Sequence, residues 1–172
     1  LDEWNETLKL MIIYGIASCM SYVHSKDIII RELKPKIILL DDYLLPKVAN
    51  FGLATLPENI NDISKDKIVG FRGMPKYLAP EVFEEEAYSK ASDVYSFSLI
   101  LFEIISGEKP FEGDHYFQIM NKVLKGERPK IRESITESFV ELIKKCWSQD
   151  PKERPSFDQI VTQLKTNKGF LV

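Results

Sequence analysis

Cysteine is scarce in this sequence: two residues in 172, Cys19 and Cys146. Both sit inside apolar helical patterns. They read as reduced core cysteines of a cytosolic protein, which excludes a disulfide-stapled secreted scaffold. Histidine is as scarce. His24 has no second His or Cys at metal-ligand spacing, so it reads as a polar group at a helix end rather than a ligand or base. Basic charge is not in excess, and the formal net charge is -3. Without a basic stripe to neutralise phosphates, nucleic acid is not an expected partner. Long apolar runs are missing too. The longest uncharged stretch, Leu10 to Val23, falls short of the ~20 residues a spanning helix needs, so no membrane span is expected. No signal peptide is expected from the residues at Leu1, and a chain opening on Leu reads as cut from a longer protein. There is no internal repeat, no low-complexity tract and no P-loop lysine motif.

What is present is the composition of one soluble globular domain, 44% hydrophobic and 28% charged, long enough for a real core. Leu8, Met11, Ile12, Gly15, Ile16, Cys19, Met20 and Val23 recur at helical spacing. They predict one long helix ending near His24, with apolar breadth that implies burial on more than one side. Ser89 and Gly107 bracket a second helix through Val94, Phe97, Ser98, Leu101, Phe102 and Ile105, as N-cap and C-cap. Asp93 lies near its start. A carboxylate there must be hydrogen-bonded if buried; the alternative is an exposed acid favoured by the helix dipole. Lys109-Pro110-Phe111 breaks the chain. Shorter helices are predicted around Phe117 to Leu124, from about Thr136 to Trp147, and after Ser156 through Ile160, Val161 and Leu164.

Between the first two helices, Ile28-Ile29-Ile30 and Ile37-Ile38-Leu39-Leu40 flank a charged loop containing Arg31, Glu32, Lys34 and Pro35. The pattern predicts strand, exposed loop, strand, because Pro35 lacks an N–H and fixes its φ. Asp41-Asp42-Tyr43 is a turn, and Pro46 to Ala49 a short strand. From Asn50 to Glu81 the chain is polar and irregular, and a stretch that long inside a compact domain is usually functional.

The sequence Ile30-Arg31-Glu32-Leu33-Lys34-Pro35-Lys36-Ile37, followed by Ile38-Leu39-Leu40-Asp41, resembles the catalytic loop of eukaryotic protein kinases, H-R-D-L-K-P-x-N then I-L-L-D. Asn50-Phe51-Gly52 resembles the D-F-G segment. Gly73-Met74-Pro75-Lys76-Tyr77-Leu78-Ala79-Pro80-Glu81 ends like an activation segment in A-P-E. Asp93-Val94-Tyr95-Ser96-Phe97 is similar to D-V-W-S-F of the central large-lobe helix. The run Cys146 to Phe157 resembles the C-W-x-x-D-P-x-x-R-P-x-F of tyrosine kinases and the tyrosine-kinase-like group. The resemblance covers nearly the whole chain, in order, and only the large lobe. It implies a mainly α fold with a few short β-strands over residues 1–172. A small lobe, with its glycine-rich loop and strand lysine, is expected upstream. It further implies ATP and Mg²⁺, protein partners or substrates, and a cytoplasmic setting.

The resemblance also assigns roles. Asp93 would hold the catalytic-loop backbone. Arg154 would pair with Glu81, against the bland reading of a solvated arginine. Lys34 would contact phosphate, against that of a solvated loop charge. Arg31 would receive an activation-loop phosphate, although no Ser, Thr or Tyr lies between Lys65 and Lys76. Leu39 would form an apolar nucleotide floor, Ile30 and Phe51 would stack, and Gly52 would complete its motif. Three positions depart from the pattern. Glu32 stands at the base position, one methylene too long. Asn50 and Ile37 stand at the two Mg²⁺ positions; Asn50 has lost the negative charge and Ile37 has no oxygen. Met74 stands where serine/threonine kinases carry a threonine. The expectation is a pseudokinase acting as a regulatory or scaffolding module. The rivals are a weak serine/threonine kinase using Glu32 as base, and a truncated, non-functional copy.

Overall fold

The computed structural model describes residues 5–49, 74–84 and 88–170. Six helices and one two-stranded sheet make up the regular structure there. They are α1 (Glu6–Ser25), β1 (Ile38–Leu40), β2 (Pro46–Val48), α2 (Pro80–Phe83), α3 (Lys90–Ser106), α4 (Tyr116–Leu124), α5 (Glu137–Cys146) and α6 (Phe157–Thr166). Short 3-10 turns at Pro35–Ile37, Pro75–Tyr77 and Pro151–Glu153 each open on a proline. A proline costs nothing at that position, where its missing N–H would have had no partner. The fold is mainly α.

The central helix is α3, and its ends follow from side-chain chemistry. Ser89 Oγ accepts from Ser92 N–H at 3.2 Å while Ser92 Oγ accepts from Ser89 N–H at 3.0 Å. Two of the orphan donors of the first turn are thus satisfied reciprocally. At the other end Gly107 takes the left-handed conformation, φ 71, which a residue without Cβ adopts freely. Every residue from Ser92 to Phe102 is buried, so this helix is enclosed on all sides. It packs against α5 and α1.

α1 begins at Asn5, whose Oδ1 accepts from Leu8 N–H at 2.9 Å. It buries Ile12, Ile13, Ile16, Ala17, Met20, Val23 and His24. These seven lie on one broad face, and the helix packs against α6, β2 and α3. Gly15 is where β2 comes closest. A Cβ built there would stand 2.4 Å from Pro46 Cγ and 2.7 Å from its Cδ. The pyrrolidine ring cannot swing away, so only glycine lets the helix and strand meet.

The sheet is antiparallel, with Ile38 opposite Val48, Leu39 opposite Lys47 and Leu40 opposite Pro46. Pro46 can open β2 because the first strand residue need not donate to the ladder. The expected strand at Ile28–Ile30 is not formed as one. Only Ile29 takes part in an isolated bridge, although Ile29 and Ile30 are buried. Extended pairing stops because Arg31 sits at φ 68, outside the strand region. The sheet strand begins at Ile38, after the 3-10 turn has used Ile37. Cys146 is buried and Cys19 half-buried, and both are free thiols. Burial pushes the Cys146 thiol up, away from the reactive thiolate. No described helix is long and apolar enough to cross a membrane.

Gly15→Ala tests the close approach of α1 and β2. Alanine is the better helix former, but the clash with Pro46 is overpacking of the kind that costs about 1–3 kcal/mol. The urea midpoint should fall accordingly. An unchanged or higher midpoint would show that helix propensity outweighs the contact.

Candidate functional site

The loop Ile30–Ile37 is held from below by one carboxylate. Asp93, in the first turn of α3, is 1% exposed. Its Oδ2 accepts from Ile30 N–H at 2.8 Å, and its Oδ1 from Arg31 N–H at 3.0 Å. His24 Nε2 lies 2.9 Å from the same Oδ2. A carboxylate oxygen already accepting a backbone N–H can only accept again, so His24 carries its proton on Nε2 and donates it. His24 ends α1 and stands edge-on to Phe157 at 5.0 Å, which in turn meets Phe97 at 5.3 Å. The start of α3, the end of α1, the loop and the start of α6 therefore converge on one acid. Sequence reasoning placed His24 merely at a helix end. Its link to Asp93 spans 69 residues, and no local pattern encodes that.

Asp93 also sustains the left-handed backbone at Arg31. A non-glycine residue in that region costs of order 1–3 kcal/mol unless its surroundings impose it. Two adjacent N–H groups bound to one carboxylate impose it here. The Arg31 guanidinium lies 4.9 Å from the centroid of the Tyr88 ring, a cation–π distance. Burial holds the Tyr88 hydroxyl above its ordinary range, and Arg31 partly offsets this.

The remaining loop residues divide between the core and partly exposed positions. Ile30, Leu33 and Ile37 are buried at 2%, 1% and 4% exposure, in the hydrophobic core. Glu32 and Lys34 project together, with Lys34 Nζ 2.5 Å from Glu32 Oε1. Their side chains are only 19% and 14% exposed, so the loop is partly buried rather than exposed as its charge suggested. Leu39, in the middle of β1, is 57% exposed. Asn50, Phe51 and Gly52 lie outside the described residues. Ile37 is a poor fit to a magnesium site: its side chain has no donor atom and is committed to the core. Met74, half exposed, precedes the turn Pro75–Tyr77.

A second polar anchor fixes the segment after Met74. Glu81 of α2 and Arg154 are both buried. Arg154 donates through its two terminal nitrogens to the two Glu81 oxygens, at 2.6 and 2.8 Å. It also donates to the carbonyls of Ser148 at 3.0 Å and Ala91 at 3.0 Å. Such a fork is a charge-assisted bidentate pair, and two further guanidinium donors go to carbonyls. The Tyr95 ring lies 5.1 Å from both Arg154 and Arg128. Its complete burial pushes the Tyr95 hydroxyl up to about 12. Ser96 Oγ donates to the Tyr77 carbonyl at 2.7 Å, and Tyr77 OH to Glu103 at 2.7 Å. The segment 75–83 is thereby fastened to α3 at several points. Among the described residues no cluster of three or more His, Cys, Asp or Glu could hold a metal ion.

The two anchors make different demands on substitution. Asp93→Ala would leave the Ile30 and Arg31 donors without an acceptor, a loss of about 1–3 kcal/mol per unsatisfied buried group. Glu32→Ala would release a partly exposed ion pair, and the expected loss is under about 1 kcal/mol. Unfolding in denaturant should separate the two variants clearly. Equal midpoints would mean that the Asp93 hydrogen bonds do not support the loop.

Comparison with known proteins places this geometry. Residues 2–164 match the family described as protein tyrosine and serine/threonine kinase. Serine/threonine-protein kinase VIK of Arabidopsis thaliana is 40% identical over 163 residues, covering 91% of this chain and 37% of its own length. The dual specificity protein kinase pyk3 of Dictyostelium discoideum is 36% identical over 169 residues, covering 98% of this chain and 12% of its own. A putative serine/threonine-protein kinase/receptor, R818 of Acanthamoeba polyphaga mimivirus, is 32% identical over 169 residues, covering 97% of this chain and 10% of its own. The chain thus spans only a minor part of the relatives it matches. Its loop Ile30–Ile37, its buried Glu81–Arg154 pair and its Asp93 anchor lie within the matched residues. The chain belongs to the protein tyrosine and serine/threonine kinase family.

Proposed function

We propose that this is a catalytically impaired kinase domain, a pseudokinase, whose large lobe serves as a regulatory or scaffolding module toward protein partners. One observation carries the reading: Ile37, at a metal-ligand position of the family pattern, is packed into the hydrophobic core with 4% of its surface exposed. Phosphoryl transfer in this family depends on positioning and on metal ions that neutralise developing charge. An aliphatic side chain supplies neither. Asn50 at the other metal position has lost the charge that Mg²⁺ prefers.

Glu32 adds a further deficit. Its longer arm carries the carboxylate away from where a catalytic-loop aspartate would place it, and a misplacement of about 1 Å can cost about 10²-fold. What this chain's residues do retain is support. Asp93 fixes the loop backbone, Arg154 and Glu81 fix the segment beyond Met74, and Leu39 presents an apolar surface on β1. This proposal includes the small lobe upstream in the full-length protein, and ATP as a ligand that is held without efficient transfer. A regulatory module needs the shape of the lobe rather than its turnover, and the shape is what these anchors maintain.

The deficits act on one transition state, so their effects need not add. Radiolabel transfer from ATP to a generic protein substrate should stay at background for the native full chain. It should stay near background for Asn50→Asp alone. It should rise substantially only when Asn50→Asp, Ile37→Asn and Glu32→Asp are combined. Native activity that disappears in Glu32→Ala would instead establish a working serine/threonine kinase with glutamate as its base.

A further inference from the structure

The start of α3 grips Arg31 twice. The Arg31 backbone N–H donates to Asp93 Oδ1 at 3.0 Å, and the residue is held at φ 68. The Arg31 guanidinium carbon stands over the Tyr88 ring, 4.9 Å from its centroid. Both gripping groups belong to one unit of structure. Tyr88 immediately precedes Ser89, the N-cap of α3, and Asp93 lies in the first turn. The reciprocal Ser89–Ser92 bonds fix that turn, and Tyr88 is half-buried against the hydrophobic core. The ring therefore has little freedom to leave the cation. An aromatic face attracts a guanidinium more strongly as water is withdrawn from the contact.

The sequence is sparing with phosphate acceptors for this arginine. The resemblance makes Arg31 the receiver of a phosphate from the segment that ends in Ala79-Pro80-Glu81, yet Thr55 and Ser64 are the only hydroxyl residues from Asn50 to Gly73. We propose that Tyr88 is a resident partner of the Arg31 side chain, and that it makes the ordered state of this loop independent of phosphorylation. A phosphate orders a segment by offering charge-assisted hydrogen bonds to an arginine. The Tyr88 ring offers a weaker attraction that is always present. Together with the Asp93 carboxylate it holds the residue by side chain and backbone at once. A regulatory module wired in this way keeps one loop geometry whether or not it is modified. The inference rests on the reading of Arg31 as the phosphate-receiving position of a kinase lobe. Its readout is amide exchange, so a native chain that transfers phosphate would overturn the pseudokinase reading and leave this one standing.

The test is a cycle of variants on the full chain, read by hydrogen exchange at the amide of residue 31. Tyr88→Leu removes the ring and some packing, and Arg31→Met removes the cation. Tyr88→Leu should speed exchange about fivefold more in the native background than in Arg31→Met, or about 1 kcal/mol of coupling. Tyr88→Phe keeps the aromatic face and should stay within about twofold of native. A second readout leaves Tyr88 in place. Followed by carbon NMR, its hydroxyl should titrate at higher pH in Arg31→Met than in the native chain. Burial raises it, Arg31 opposes the rise, and the nearby charges of Glu32 and Asp93 add to it. The last arm concerns phosphate. Thr55→Ala with Ser64→Ala, and Thr55→Glu with Ser64→Glu, should each leave exchange at Arg31 within about twofold of native. Equal effects of Tyr88→Leu in both backgrounds would reduce Tyr88 to core packing. That result, an unmoved Tyr88 titration, protection lost in the alanine pair or protection gained in the glutamate pair would each overturn the proposal.

Discussion

A single buried carboxylate sets the geometry on which the rest of this lobe depends. Asp93 accepts from two consecutive backbone N–H groups and from His24. Removing charge from water is expensive, and a carboxylate at 1% exposure is tolerable only with its acceptor capacity used. That requirement works in both directions. The loop needs Asp93 to hold Arg31 at φ 68, and Asp93 needs the loop to satisfy its charge. The helix that carries the acid is fixed in turn by its Ser89–Ser92 cap and by burial of Ser92 through Phe102 in the core. The same logic repeats at Glu81 and Arg154, where two further donors of a buried pair are used by carbonyls. In such networks loss of one partner strands the other.

Against that support, the departures in the loop divide into two physical kinds. Ile37 exchanges a polar position for an apolar one that the core accepts, and Ile30 does the same at 2% exposure. Both side chains are part of the hydrophobic core. Glu32 keeps its charge but turns it toward Lys34. The result is a loop whose apolar residues are packed in the core and whose Glu32 and Lys34 are directed at each other. Under the proposed reading, aliphatic burial at Ile37 serves the packing of the lobe and gives up a metal ligand.

Local signals made much of this fold legible. Ser89, Gly107 and Ser156 marked helix ends because capping is short-range chemistry, and the apolar breadth of α1 announced its several neighbours. The loop frame from Arg31 to Pro35 was visible as a motif, and so were Glu81, Asp93 and Arg154. What stayed hidden was set by contacts far apart in sequence. Ile28–Ile30 has the composition of a strand, yet a carboxylate more than sixty residues away ends it by pulling Arg31 into the left-handed region. His24 carried no hint of its partner. Gly15 read only as one residue of a helical pattern, and the Pro46 ring, 2.4 Å from a Cβ built there, is what explains a glycine at that point. Glu32 and Lys34 were legible as charges, while their pairing with each other is visible only in the structure.

The central claim is that this domain keeps a kinase scaffold without the means to use magnesium. The most direct measurement is calorimetric titration of ATP into the full chain with and without Mg²⁺. The account predicts that magnesium tightens any binding by less than about tenfold, or about 1.4 kcal/mol. A tightening well beyond that would mean that the protein assembles a working metal site despite Ile37 and Asn50, and would contradict the account.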